Sequence, residues 1–278
     1  MRRYAIILSF LTFTAAAGTS TCGEAEPQSN GPAPTPITHA LASVAQESTP
    51  KHDALTTTLD ALEKVLGGRD AFAAIPALKY KFQVVAGGKV GAERSVLFDK
   101  AGKRARSESR GKEGEALAFA VDYGKAKTIL RRDDVVQDGE AAQGSKDKLR
   151  RTLALDINYA VLPWRLRDKD LEVVDQGTVE FEQKSFRSLK ATYAATAPDL
   201  AGDSFELLLD PASSLPIVLK VRFKSMRPEQ QPLVFVLEEW VELKGVKFPT
   251  RLRGASQTIR FEDLASVPTI DPKLFDGL

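Results

Sequence analysis

The chain has 278 residues, 43% of them hydrophobic and 27% charged, with a formal net charge of +2. That is enough apolar material for one large domain or two small ones, and the near-neutral balance gives no electrostatic case for nucleic acid as a partner. A single cysteine excludes an intrachain disulfide, and only two histidines are present.

Residues 1–17 read as an export signal. Arg2 and Arg3 form a positive start, and Tyr4 to Ala17 is an apolar run too short to span a bilayer, which takes about 20 residues. Ala15-Ala16-Ala17 offers a small-residue cleavage site, and loss of Arg2 and Arg3 with the leader brings the formal charge to zero. The lone thiol, Cys22, stands in Thr19-Ser20-Thr21-Cys22-Gly23, at a suitable distance from the apolar run to be acylated as a bacterial lipoprotein. Thr21 departs from the usual Gly, Ala or Ser before such a cysteine, so soluble secretion after Ala17 is the rival reading. Residues 18–52 are rich in Pro, Ser, Thr and Gly without periodicity and read as a flexible tether.

Asp53 is expected to cap a helix with Leu55, Leu59, Leu62 and Leu66 on one face, stopped by Gly67-Gly68, and Asp70 to Ile75 reads as a short turn ending at Pro76. Hairpin-ordered strands follow: Lys79–Val84, with Tyr80, Phe82 and Val84 on one side, then Ala92–Asp99, Arg104–Ser109, Ala116–Tyr123 and Lys127–Arg131. Ser145 is expected to cap a second helix carrying Leu149, Leu153 and Ile157, ending before Pro163. Strands then resume at 171–175, 178–183, 188–196, 204–210, 217–224, 233–243 and 246–253. Alternation in the 217–224 strand places Ile217, Leu219, Val221 and Phe223 inward and Lys220, Arg222 and Lys224 outward. Residues 53–278 thus read as a single mainly β domain with two or three helices, a curved antiparallel sheet forming a half-open barrel with a helical lid.

From Asp53 onward there is no His and no Cys. That removes Ser-His-Asp and Cys-His catalysis, Cys/His zinc sites and His or Cys haem ligation. What remains is carboxylate chemistry, with Asp99, Asp122, Asp133, Asp134, Asp203, Glu206, Asp210, Glu238, Glu239 and Glu242 as candidates for paired acids or a calcium site. Glu239 is expected to point inward if Leu233, Phe235, Leu237, Val241 and Leu243 face the core. No cofactor is expected, and a carboxylate hydrolase is the remote alternative.

Leu207 to Pro216 (LLLDPASSLP) is a strand, an Asp-Pro turn and a strand entered through Leu-Pro; Lys244 to Pro249 (KGVKFP) is a Gly turn into a strand bearing proline. These hairpins, with Leu66 to Phe72 followed by Leu78–Phe82, resemble the LolA/LolB-like superfamily of bacterial outer-membrane lipoprotein-sorting domains. The resemblance implies a half-open barrel closed by helices over an apolar cavity. It points to an exported, monomeric, non-enzymatic protein of the periplasm or outer membrane of a Gram-negative bacterium, anchored through Cys22 if that residue is acylated. Lipid or an acylated lipoprotein is the expected partner, with a structural or protein-binding module the alternative. Expected cavity residues are Tyr80, Phe82, Phe98, Phe181, Phe205, Leu207, Leu219, Phe223, Phe235 and Trp240, with Tyr159, Leu162 and Trp164 as a lid.

Overall fold

A computed structural model describes residues 50–278. The signal, most of the tether and Cys22 lie outside the described residues.

Helix α1 (Pro50–Val65) begins slightly before the expected start and buries Leu59 and Leu62, with Leu66 just past its end. Gly67 and Gly68 both take positive φ, which glycine adopts without the steric cost of a Cβ. A short helix, α2 (Arg69–Ala73), stands where a turn was expected. Strands β1 (Ala77–Ala86), β2 (Lys89–Asp99), β3 (Arg104–Arg110), β4 (Ala116–Asp122), β5 (Lys127–Arg132) and β6 (Val135–Val136) form an antiparallel meander. A long helix, α3 (Glu140–Arg165), leads to a second meander of β7 (Leu171–Phe181), β8 (Lys184–Tyr193), β9 (Ser204–Leu209), β10 (Pro216–Arg222), β11 (Leu233–Leu243), β12 (Val246–Gly254) and β13 (Thr258–Ser266). A 3-10 turn (Pro272–Phe275) follows, capped by the Asp271 side chain, which accepts from the Lys273 N–H.

All 13 strands join one sheet, in the order β6-β5-β4-β3-β2-β1-β13-β12-β11-β10-β9-β8-β7. The two meanders meet only along the β1–β13 ladder, where Phe82 lies opposite Phe261 and Val84 opposite Ile259. Because β6 and β7 are the two outer edges, α3 connects one edge of the sheet to the other. Laid flat, such a sheet would be about 58 Å across at roughly 4.8 Å per strand, whereas a 26-residue helix is about 39 Å long. The sheet curls around the helix, so strands of both meanders reach it. Tyr80 of β1 donates to the Asp156 carbonyl, Tyr193 of β8 donates to Asn158 at 2.6 Å, and the Tyr159 ring meets Phe235 of β11 edge-on at 6.0 Å. The sheet is open and does not close into a barrel.

α3 departs from expectation at both ends. It starts at Glu140, not Ser145, and runs through Pro163 to Arg165. Pro163 sits in the final turn, where the hydrogen bond it cannot donate is one of the helix's last. Residues Tyr159 to Trp164 are all buried, and that burial holds the turn together.

Two β-bulges also change what faces the helix. β7 is one strand, not two, with a register shift between Asp175 and Gly177; β10 shifts between Pro216 and Val218. An inserted residue breaks the alternation of a strand. Phe181 follows the β7 bulge and Ile217 is itself the bulged residue of β10, and both belong to a small apolar cluster with Phe186, Leu208, Val218, Val179 and Val234, on the face turned away from α3. Both were expected inward.

A candidate apolar binding cleft beneath helix α3

Most of the residues expected to line a cavity are filled core. Tyr80, Phe82, Phe205, Leu207, Leu219 and Phe235 are each no more than 2% exposed. Phe261 packs edge-on against Tyr80 and Phe82, and Tyr193 against Phe205. The concave face has no room left there because α3 lies in it. Tyr159 and Leu162, expected in a lid, point down into this core. Phe223 and Trp240 are half-buried against the core, with the Arg151 guanidinium 5.8 Å from the Phe223 ring centre.

The open space lies at one end of α3. A cavity of about 680 Å³ is bounded by α2, the β2–β3 turn, the end of β4, the second half of α3 and the β8–β9 loop. Of the expected residues it takes Phe98 and Trp164. Its floor is apolar, formed by Phe72, Phe98, Ala154, Ile157, Val161 and Trp164. Phe72 stacks on Trp164 at 4.9 Å with the rings 6° apart, so α2 is held to α3 by an aromatic pair. Phe72 was passed over in the sequence because Asp70–Ile75 read as a turn.

The rim is charged. Arg165 donates to Asp168 at 2.8 Å, and Arg150 pairs with Asp199 of the β8–β9 loop at 2.8 Å. Burial pushes the Asp199 carboxyl up from its ordinary value against the opposing pull of Arg150. Lys100 lies 4.0 Å from the centre of the Phe72 ring and donates to the carbonyls of Phe72 and Ala73 at the end of α2. Burial lowers its ammonium pKa. Two tyrosines reach in among these charges. Tyr193 is tied to Asn158, whereas the Tyr123 hydroxyl is buried with no hydrogen-bond partner among the described residues. Burial raises both phenols well above their usual range, so both stay protonated.

Deeper under α3, Arg94 of β2 forks onto Asp156, with one nitrogen 2.8 Å from Oδ1, while its guanidinium lies 4.7 Å from the Phe82 ring centre. Burial raises the Asp156 carboxyl and Arg94 holds it down in part.

The candidate acids do structural work. Asp99 holds Arg104, Asp122 accepts the Lys125 N–H, Asp133 accepts the Ala116 N–H, Asp203 holds Arg151, Glu206 holds Lys220, and Asp210 accepts from Ser213. Asp134 sits in the β5–β6 turn with positive φ, and Glu242 lies opposite Lys247 in the ladder. Glu238 pairs with Arg253. Glu239 does not point inward: its φ of 53° turns it out, its side chain is 61% exposed, and it pairs with Arg251 at 2.7 Å. Among the described residues, no three His, Cys, Asp or Glu side chains converge as metal ligands.

The fold and cleft define an open, curved antiparallel sheet wrapped on one helix, with an apolar hollow at the helix end. No family model matches the chain and no curated protein does. Among solved structures, it is similar to a LolA superfamily protein from Nitrosomonas europaea, at 13% identity over 79% of this chain and 96% of that one, with a TM-score of 0.49. A DUF1329 family protein from Desulfovibrio piger aligns at 11% identity over 80% and 97% of the two chains, with a TM-score of 0.43. The Mycobacterium tuberculosis lipoprotein LppX aligns at 11% identity over 78% and 99%, with a TM-score of 0.30.

Proposed function

We propose that this is an exported envelope protein that binds an acyl chain of a lipid or lipoprotein, without catalysis, in the cleft between α2, α3 and the β8–β9 loop. The observation that carries the reading is the cavity of about 680 Å³ with an aromatic and aliphatic floor beside an otherwise filled core. That size lies within the range of small-molecule sites, and each buried methylene contributes about 0.8 kcal/mol, so a chain binds there without a dedicated polar motif. The export signal and Cys22 fit such a task, placing the domain on or near a membrane.

The test is native mass spectrometry with lipid extraction on protein recovered from an envelope fraction, comparing wild type with Ala154→Trp. Ala154 lies on α3 and lines the cleft, so the indole would occupy the space a chain needs while a helical residue replaces a helical residue. A stoichiometric lipid in the wild type, absent from a variant with unchanged circular dichroism, supports the reading. A lipid retained by the variant places the ligand elsewhere. A protein that stays empty when offered lipids and acylated peptides favours the structural or protein-binding module.

A further inference from the structure

Charge is unevenly matched around the cleft. Of the charged side chains that line it, Arg165 is paired with Asp168 and Asp170, Asp199 with Arg150, and Arg69 with Glu63. Lys100 and Lys103 also line it, and neither meets a carboxylate among the described residues. Both stand in the β2–β3 turn, which is fixed at two points. The Lys100 and Ala101 N–H groups donate to the Pro76 carbonyl at 3.1 and 3.3 Å, and the Lys103 carbonyl accepts the Tyr123 N–H at 2.9 Å. The direction of the Lys100 side chain is set by contact. Its Nζ lies 4.0 Å from the centre of the Phe72 ring, on the cavity floor, and donates to the Phe72 and Ala73 carbonyls at the end of α2. An ammonium carries three donors, so one remains. Lys100 is half-buried and Lys103 exposed, so both are within reach of a ligand entering from solvent. Burial lowers the Lys100 ammonium pKa, and no neighbouring carboxylate opposes the shift.

We propose that Lys100 and Lys103 form an anion site at the mouth of the cleft, and that the bound chain carries a negatively charged head group, a phosphate or a carboxylate, which they hold. The inference rests on the acyl-chain reading above, which leaves the charge of the head group open. The methylenes lie on the apolar floor, while the charged end stays at the wet rim and is spared the cost of burial. Two ammonium groups act there as point charges, so phosphate and carboxylate are read alike. The acids of the rim stand on other elements, the α3–β7 connection and the β8–β9 loop. A neutral head group would gain little from the two lysines, and a cationic one would be repelled by them.

The experiment compares dodecanol, dodecyl phosphate, dodecanoate and dodecyltrimethylammonium as competitors of a fluorescent apolar dye bound to the full mature chain. The proteins are the wild type, Lys103→Asn and the double variant Lys100→Met/Lys103→Asn. Asn readily adopts the positive φ of 51° at position 103, so the single variant keeps the fold even where loss of Lys100 from α2 unsettles the double one; urea denaturation checks both. Expected in the wild type at low salt is binding of the two anions roughly three- to tenfold tighter than of dodecanol, and weaker binding of the cation. Lys103→Asn should reduce that advantage about twofold and the double variant should abolish it, with dodecanol unchanged. Sodium chloride at about 0.5 M should shrink it in the wild type. An advantage confined to one anion identifies that head group. Inorganic phosphate should leave the advantage intact; if it abolishes it at matched concentration, the lysines take free anions and the head-group assignment falls. Anions that bind no tighter than dodecanol in the wild type, or an advantage undiminished in Lys103→Asn, would overturn the anion site and leave the cleft reading standing. Failure of all four compounds to displace the dye from the wild type would overturn both.

Discussion

Replacing Arg94 by methionine isolates the ion pair that fastens α3 to the sheet. The Asp156 carboxylate is 3% exposed and its partner 19%, so removing the guanidinium leaves a charge with neither water nor a counter-ion. Breaking a buried pair on one side costs about 3–5 kcal/mol, a large share of the roughly 5–15 kcal/mol that holds a domain folded. The pH dependence follows from the direction of the Asp156 shift. Its carboxyl is already raised in the folded protein, and losing Arg94 raises it further. A group whose folded pKa lies above its unfolded value binds more protons when folded. It costs nothing below the unfolded value of about 3.9, and the penalty grows as pH rises through the folded pKa. In urea denaturation at pH 7, Arg94→Met should lose about 3–5 kcal/mol relative to wild type, and the loss should shrink as pH falls towards 4. The double variant Arg94→Met/Asp156→Leu should recover to within about 1–2 kcal/mol of wild type, because it buries no charge. A single-variant loss below about 1 kcal/mol at pH 7, or one that does not shrink with acid, would refute the reasoning.

Other expectations are open to direct measurement. Gly67→Ala should lower stability by at least about 2–3 kcal/mol in urea, because its Cβ would fall 1.8 Å from the Gly245 carbonyl oxygen and φ is 111°. Gly68→Ala, also at positive φ but facing open space, should cost only the conformational strain, about 1 kcal/mol. Phe72→Ala in a Trp240→Phe background should red-shift the emission of Trp164 and open it to acrylamide quenching, with a loss of about 1–3 kcal/mol in urea from the stack and the half-buried ring. Cys22→Ser should release the protein from membranes into the soluble fraction if Cys22 is the lipid anchor; unchanged membrane association would remove it from that role.

Local patterning carried much of the fold. β11 spans Leu233 to Leu243 as expected, although its alternation breaks at Glu239 and leaves Leu233 and Val241 exposed, and Gly67-Gly68 ends the first helix region where expected. What local patterning could not carry was anything set by a bulge or by a distant partner. Phe181 and Ile217 alternate well within their own strands, but Phe181 lies beyond an inserted residue and Ile217 is one, which only the neighbouring strand reveals. β13 is absent from the sequence expectation, although Ile259 and Phe261 alternate into the core and a short turn, closed by the Gly254 N–H on the Gln257 carbonyl, pairs it with β12. The cleft was half legible: Phe98 and Trp164 are there, but the larger aromatic set went into packing α3. A helix filling a concave face cannot be inferred from strand alternation. Tyr123, Lys100 and Arg165 come from three separate elements, and no spacing in the sequence brings them together.

The β1–β13 ladder also imposes an order in time. β1 is the first strand to be synthesised and β13 the last of those described, so the hydrogen bonds that join the two meanders wait until nearly the whole domain is available. Until then β1 and β12 each present a bare edge, open to pairing with other chains. Folding through so distant a closure is slow compared with hairpin formation, and a chain stopped before Thr258 would carry two half-sheets and four edges in place of two.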